Sequence, residues 1–192
     1  MLKPLSAFLA ACFFALGPGT ALADPADDIN QAIRAFAAVQ SVHVDVTAPN
    51  GMSASEDMVA PNKSHIWFTM MGRPMQWVII GNDTYVNYGG SWKKSRSTAA
   101  NPIVTQMNAA QRIILKNKDV REQYRVTGGA PAAVNGTPAR KYHLVDKSNG
   151  SAVDVYLGPG SLPLQIVFDR GDDGMTWTYT HYNGVAGVNA PM

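Results

Sequence analysis

Turn-forming residues interrupt this chain at regular intervals from Pro49 onward, and this spacing most constrains the fold. Clusters of Gly, Asn, Pro and Asp recur about every 8–12 residues. Between them, apolar residues often alternate with polar ones, as Val42, Val44 and Val46 do. So short a spacing favours hairpins over strand–helix–strand units, because a parallel crossover needs a dozen or more residues. The pattern predicts one antiparallel sheet of about ten strands, which must curl strongly or close.

The predicted strands form two series with a helical stretch between them. The first series covers 42–46, 52–59, 65–71, 75–80 and 84–88. The second series covers 120–127, 139–145, 152–157, 164–169 and 175–182. Gly128-Gly129 is interpreted as the turn that ends the first strand of the second series.

One helix is predicted before the first strand. Asp24-Pro25 combines a capping carboxylate with a proline at the first helical position. An apolar stripe that includes Ile33 and Phe36 then repeats at helical spacing. We expect the helix to end near Gln40, where the period changes to that of a strand.

A second helix is predicted between the two strand series. Asn101-Pro102 has the same combination of a cap and a proline. Ile103, Met107 and Ile114 form its apolar stripe. This helix is too weakly apolar to be buried on all sides.

The first 23 residues have the pattern of a secretory signal peptide. Lys3 precedes a mostly apolar run, and Ala21-Leu22-Ala23 places small residues at the −3 and −1 positions of a cleavage site before Asp24. The run is too short and too broken by glycine and proline for a transmembrane anchor. We expect residues 1–23 to be the signal peptide and residues 24–192 to form one domain.

Cys12 is the only cysteine, which excludes a disulfide scaffold or a zinc ribbon. If the signal is cleaved after Ala23, the exported domain has no thiol. The segment Leu9-Ala10-Ala11-Cys12 also resembles a bacterial lipobox, so anchoring through a lipidated Cys12 is the alternative. Mass spectrometry of the mature N-terminus separates a chain that starts at Asp24 from one that starts at a diacylated Cys12.

The charge balance and the reactive residues point away from nucleic-acid binding and catalysis. Sixteen basic residues face 14 acidic ones, and so small an excess does not make the basic face that nucleic acid requires. No nucleophile elbow or phosphate-binding loop occurs. The four histidines fall in predicted strands without the spacing of a metal pair. We expect no enzyme activity, no metal and no cofactor.

Soft apolar residues are concentrated in the first strand series. Met70, Met71 and Met75 lie close to Trp77 and Phe68. Methionine adapts its shape and is common where a surface accepts variable apolar ligands. The same residues would also serve an ordinary packed core, so composition leaves open both a filled core and an apolar cavity.

The order of several short segments resembles the LolA/LolB-like lipoprotein-carrier superfamily, which includes the LppX/LprG-like lipid-binding proteins. The segments match that family's strand and hairpin motifs in sequence order across most of the chain. They are Ala60-Pro61-Asn62-Lys63, residues 81–86 with 90–94, residues 134–142, Leu162-Pro163-Leu164-Gln165-Ile166, and 180–191 as the closing strand.

The resemblance implies a mainly β (α+β) fold, an unclosed β-barrel of about eleven strands whose concave face is plugged by the two helices. It also implies a monomeric periplasmic carrier that holds lipid or lipoprotein acyl chains and meets an envelope membrane protein, without a cofactor. The cavity residues implied by matching strand and helix positions are Ile33, Phe36, Ile66, Phe68, Met70, Trp77, Ile79, Ile103 and Met107.

Two other classes of function remain open at this stage. One is a filled-barrel module that binds a periplasmic protein and no lipid. The other is a small hydrolase or isomerase that uses a cavity histidine, His65 or His143. A dry, fully packed interior would favour the first class, and loss of turnover on His→Ala substitution would support the second.

Overall fold

Eleven strands form one antiparallel sheet in the computed structural model, which describes residues 24–49, 51–95, 119–169 and 174–191. In chain order the strands are β1 (Ser41–Thr47), β2 (Ser53–Val59), β3 (Lys63–Met70), β4 (Arg73–Ile80), β5 (Asp83–Asn87), β6 (Trp92–Ser95), β7 (Tyr124–Val134), β8 (Thr137–Asp146), β9 (Ala152–Leu157), β10 (Pro163–Asp169) and β11 (Met175–Thr180). The first series, β1–β6, joins the second, β7–β11, where β1 pairs with β11. The sheet therefore has β6 at one edge and β7 at the other, and it is not closed into a barrel.

This architecture confirms the predicted fold class of a curled, unclosed antiparallel sheet with helices. Every other neighbouring pair is a simple sequential connection, as the short turn spacing predicted. Patterning does not predict β6, because Lys93 and Lys94 fill half of its four residues. Its pairing with β5 supplies the eleventh strand.

The prediction of a strand over 120–127 that ends in a Gly128-Gly129 turn is wrong. Val120–Gln123 form a single helical turn, α2, and β7 runs from Tyr124 through both glycines to Val134. The glycines form a bulge where the register with β8 shifts. Gly128 has φ +111°, and a Cβ there would lie 2.6 Å from the Lys141 carbonyl oxygen, so the bulge needs glycine.

The last strand is shorter than the sequence predicts. β11 ends at Thr180, and residues 181–191 form no strand. His181 and Asn183 have φ of 51° and 56°, a left-handed backbone that breaks the pleat. The backbone N–H of Asn183 instead donates to the Ser41 carbonyl oxygen at 2.7 Å. This bond holds residues 181–191 against the start of β1.

The first predicted helix is confirmed as α1 (Pro25–Ala37). The Asp24 carboxylate accepts a hydrogen bond from the Ala26 amide at 2.9 Å, as expected of an N-cap. The helix ends at Ala37 rather than near Gln40. The second predicted helix and the predicted signal peptide lie outside the described residues. Among the described residues, no helix has the length and hydropathy to cross a bilayer.

The core lies on one face of the sheet. In β1 the buried residues Val42, Val44 and Val46 alternate with more exposed ones. Register extends this face across both series, since Val44 pairs with Tyr179 of β11 and with Glu56 of β2. We call it the concave face, because α1 packs against it: the Phe36 ring meets the Tyr179 ring edge-on at 5.9 Å between centroids.

Candidate functional site

A partly open apolar cavity of about 70 Å³ lies between α1 and the concave face of the second strand series. Apart from the edge of one tyrosine ring, its walls are aliphatic, prolyl and phenyl groups. The lining residues are Ile29, Ala32, Ile33, Val120, Tyr124, Leu144, Val153, Val155, Leu157, Pro163, Ile166 and Phe168. Ligand pockets of drug size usually measure about 300–1,000 Å³, so this cavity is a small one.

Two sequence patterns bring these side chains together, the helical spacing of apolar residues in α1 and the alternation of apolar residues in β9. Ile29, Ala32 and Ile33 lie on one stripe of α1, because residues three and four apart share a helix face. Strand alternation points Val153 and Val155 toward that stripe. The cavity therefore lies where the apolar stripe of α1 and the alternating face of β9 meet.

One side of α1 is tied to the sheet through Asp28. The Tyr142 hydroxyl donates to Asp28 Oδ2 at 2.6 Å, and Arg140 Nη1 lies 2.9 Å from the same oxygen. Burial raises the pKa of the Tyr142 hydroxyl, and the hydrogen bond to Asp28 raises it further. A second depression of about 220 Å³ lies beside these groups and shares Leu157 with the apolar cavity. Asp28, Arg140 and Tyr142 therefore lie beside a depression that is next to the apolar cavity.

The N-terminal end of α1 is tied to α2. Asn30 accepts from the Val120 amide at 2.9 Å and donates to Asp119 at 3.0 Å. Arg121 Nη2 lies 2.6 Å from Asp24 and 2.7 Å from Asp27. The hydrogen bond from Arg121 holds the pKa of Asp24 below its usual range. Polar contacts thus hold α1 and α2 together beside a cavity that is apolar inside.

The predicted cavity residues of the strands share the concave face with this cavity but lie on the other series. Ile66 pairs with Glu56 on one side and with Trp77 on the other, which continues the row through Val44. The same alternation places Phe68 and Ile79 on this face, whereas the Met70 side chain lies outside the described part of the structure. Ile66 and Phe68 are buried, and the Phe68 and Trp77 rings meet at 5.7 Å between centroids.

The predicted helix residues separate into three groups. Ile33 lines the cavity. Phe36 packs against Tyr179 and Tyr182 beyond the cavity's end. Ile103 and Met107 lie outside the described residues.

Sequence reasoning missed the strand residues that line the cavity. Val153, Val155 and Leu157 alternate in β9, and this signal was present in the sequence. The sequence did not show which element these residues face. Only the pairing of β1 with β11 brings the second strand series under α1.

His65 and His143 lie on the convex face, opposite the cavity. Each is adjacent in its strand to a concave-face residue, Ile66 or Leu144. His65 Nε2 lies 3.1 Å from the Gln76 amide oxygen, and burial lowers the pKa of its imidazole. His143 Nδ1 lies 2.7 Å from Asp154. The hydrolase alternative required a cavity histidine, and neither residue is one.

A metal site needs several ligating side chains close together. In residues 24–49, 51–95, 119–169 and 174–191, no three His, Cys, Asp or Glu side chains are grouped so that they could hold a metal ion.

Glu56 is a carboxyl on the concave face that the sequence analysis did not single out. It is 3% exposed and lies between Val44 and Ile66, which are both fully buried. Burial raises the pKa of Glu56 to about 7, while the Ser64 hydroxyl acts in the opposite direction. Its Oε2 atom is buried without a hydrogen-bond partner.

Two solved structures of mycobacterial proteins have the same fold as this chain. The lipoprotein LppX of Mycobacterium tuberculosis superposes with a TM-score of 0.62 at 15% identity, over 85% of this chain and 97% of LppX. LprF of Mycobacterium bovis gives 0.61 at 12% identity, over 87% of this chain and 96% of LprF. This chain therefore has the fold of LppX and LprF.

The likeness confirms the resemblance predicted from the motif order, at the level of the fold. MucB is a more distant match, with a TM-score of 0.50 at 16% identity over 90% of this chain and 62% of MucB. No family model matches the chain, and no curated protein matches it in sequence. The likeness therefore shows the fold alone, and the function is inferred from the residues of the concave face.

Proposed function

We propose that this chain is an extracytoplasmic carrier that holds a lipid acyl chain between α1 and the concave face of the sheet. The observation that carries the proposal is the wholly apolar cavity under a helix that is held at its rim by polar contacts. An apolar interior offers no group for catalysis, but it matches a hydrocarbon chain. Burying a 16-carbon chain would gain about 12 kcal/mol before ordering costs, at ~0.8 kcal/mol per methylene.

Loading requires α1 to move. The cavity of about 70 Å³ is several-fold smaller than a pocket for a drug-sized ligand. The ties at Asp24, Asp28 and Arg121 can exchange protein partners for water at the surface, so breaking them costs less than breaking apolar packing. We infer that α1 acts as a lid, and that the empty protein closes over its own cavity.

We propose that the acyl chain, once α1 has opened, lies along the concave face across both series. Ile166 in the cavity and Trp77 on the far side share the concave face and are five strands apart. At about 4.8 Å per strand this is a path of about 24 Å along the sheet. The predicted residues Ile66, Phe68 and Ile79 would line its second half.

The location follows from the signal-peptide pattern of residues 1–23. We propose that the chain is exported to the periplasm and cleaved after Ala23, with attachment through a lipidated Cys12 as the alternative outcome. A carrier of this kind receives and delivers its cargo at an envelope membrane, where a membrane protein would be its partner.

The test is native mass spectrometry of protein purified without detergent. We expect the wild type to carry lipid, and we expect a substitution that fills the cavity, Ala32→Leu, to reduce the bound fraction strongly. Ala37→Leu is the matched control, because it makes the same change at an exposed position of the same helix. Absence of lipid from the wild type, together with failure of delipidated protein to take up an added fatty alcohol, would refute the carrier.

The alternative of a filled-barrel interaction module is favoured by one observation, the small volume of the cavity. If α1 never opens, Ala32→Leu should raise the stability and change no ligand binding. Lipid uptake that falls in Ala32→Leu and not in Ala37→Leu would exclude this alternative.

A further inference from the structure

Four buried side-chain polar atoms in the described residues have no hydrogen-bond partner, and all four belong to residues of the concave face. They are Glu56 Oε2, Trp77 Nε1, Thr84 Oγ1 and Trp177 Nε1. Register places each of them there: Trp77 continues the row of Val44, Thr84 pairs with Ile79, and Trp177 pairs with Val46. A folded protein rarely leaves such groups unsatisfied, because each one costs free energy.

Glu56 is the centre of this set. Trp77 lies two strands away on one side, in the same row as Glu56 and about 10 Å from it. On the other side the row leads through Val44 to Tyr179, and Trp177 lies two residues further along β11. A hydrogen-bond acceptor therefore has an indole N–H donor on each side of it on the same face of the sheet. The ion pairs of α1 lie elsewhere, and no described cation is within salt-bridge distance of Glu56.

The neighbours of Glu56 satisfy only part of its carboxyl group. Across β1 and β3 it faces the side chains of Val44 and Ile66, which form no polar bond, and its hydrogen bond with the Ser64 hydroxyl leaves Oε2 without a partner. A leucine would pack there without desolvation cost, so the carboxyl weakens the empty protein. A buried carboxyl that destabilises its own fold marks a functional site.

We propose that Glu56 selects the lipid by accepting a hydrogen bond from a free hydroxyl at the ligand's polar end. This inference rests on the proposed carrier function and adds the ligand class: a neutral acyl lipid with a hydroxyl donor, whose carbonyl oxygens accept from Trp77 and Trp177. A ligand that ends in a carboxylate or a phosphate is rejected, because it would place a second negative charge or a second acceptor against Glu56.

The test compares dodecanol with dodecanoate, which differ only at the polar end. Delipidated protein is loaded with N-phenyl-1-naphthylamine at pH 8, and each ligand is titrated to displace the dye. An alcohol is the more apolar ligand and would bind better in any apolar cavity. The informative quantity is therefore the affinity for dodecanol divided by the affinity for dodecanoate, and how this ratio changes in variants. We expect Glu56→Gln to reduce that ratio at least tenfold, mainly by admitting dodecanoate.

Two further variants distinguish a role of Glu56 in ligand selection from a role in the stability of the fold. Glu56→Leu should lose affinity for dodecanol and raise the thermal midpoint of the empty protein, since it removes the unpaired group. Glu122→Gln removes an exposed carboxylate and should leave the ratio unchanged. A ratio that stays the same in Glu56→Gln, or an empty Glu56→Leu protein that is less stable than the wild type, would overturn the assignment of Glu56.

The outcomes also distinguish this inference from the carrier function. If both ligands displace the dye equally well in the wild type and in Glu56→Gln, the chain is a carrier without selection by Glu56. If neither ligand displaces the dye, both ideas fail together.

Discussion

The two halves of the concave face differ in how they treat polar groups. In the cavity half, which we define as α1 with β7–β10, the cavity is apolar, and the buried polar side chains beside it, Asn30 and Tyr142, have hydrogen-bond partners. In the acidic half, β2–β5, Glu56 and Thr84 are buried inside the face with unpaired oxygens. The first arrangement suits a hydrocarbon tail, and the second suits a polar end. The difference suggests that the sheet holds the two parts of one amphipathic ligand in different halves.

The largest effect that tests this contrast concerns two isoleucines. Ile66 lies in the packed acidic half, and Ile166 lines the cavity. We expect Ile66→Ala to lower the free energy of unfolding by about 4 kcal/mol and Ile166→Ala by about 2 kcal/mol, because a side chain beside an existing void loses fewer contacts. Urea denaturation of both variants measures the difference. A larger cost at Ile166 would mean that the cavity half is the better packed one.

The next effect is the pH dependence that Glu56 contributes. Its pKa is raised from 4.5 to about 7 in the folded protein, so the folded state holds the proton more tightly than the unfolded state does. The stability associated with the protonated carboxyl is complete below pH 4.5 and is lost as the pH rises through 7. Relative to Glu56→Gln, the wild type should therefore lose about 3 kcal/mol of stability between pH 4 and pH 8.

Urea denaturation of the wild type and Glu56→Gln across that range checks the slope. Glu122→Gln controls for the loss of one negative charge at an exposed site. Parallel pH profiles for the wild type and Glu56→Gln would show that Glu56 titrates as an ordinary surface carboxyl, and the contrast between the halves would disappear.

The smallest effect concerns the rim of the cavity half. Arg121→Ala removes the contacts with Asp24, Asp27 and Asp119 but leaves the Asn30 contacts in place. Because these ion pairs are exposed, stability should change little, while dye uptake should become faster and lose its dependence on salt. Stopped-flow measurement of N-phenyl-1-naphthylamine uptake at low and high NaCl tests this. Lys93→Ala, an exposed cation of β6, should leave the rate unchanged, and a rate unaffected by Arg121→Ala would show that α1 is not the lid.

The features that the sequence predicted well are local ones. The cap and proline at Asp24-Pro25 set the start of α1 from neighbouring residues, and the valines of β1 set its buried face by simple alternation. The order of the hairpins followed from turn spacing for the same reason. These signals need no knowledge of what lies across the sheet.

The features that the sequence did not predict depend on contacts between residues that are far apart in the chain. The Gly128 bulge is recognisable only from the approach of Lys141, and the cavity only from the pairing of β1 with β11. Glu56 occurs in a polar stretch, Ser-Glu-Asp, that has no apolar alternation, and its burial follows from its pairing with Ile66. Ile66, Phe68, Trp77 and Ile79 lie on the same face of the sheet as the cavity, and the contact of the predicted site residues with lipid stays a prediction.

Tryptophan quenching by a brominated acyl chain tests the central claim directly, since two of the four tryptophans lie on each face. Trp77 and Trp177 are concave, and Trp67 and Trp92 are convex. In Trp67→Phe/Trp92→Phe, the remaining concave indoles should be strongly quenched when a brominated 16-carbon alcohol binds. In Trp77→Phe/Trp177→Phe, the convex indoles should keep their emission at the same ligand occupancy. Equal quenching in both variants, or quenching of the convex pair alone, would contradict binding on the concave face.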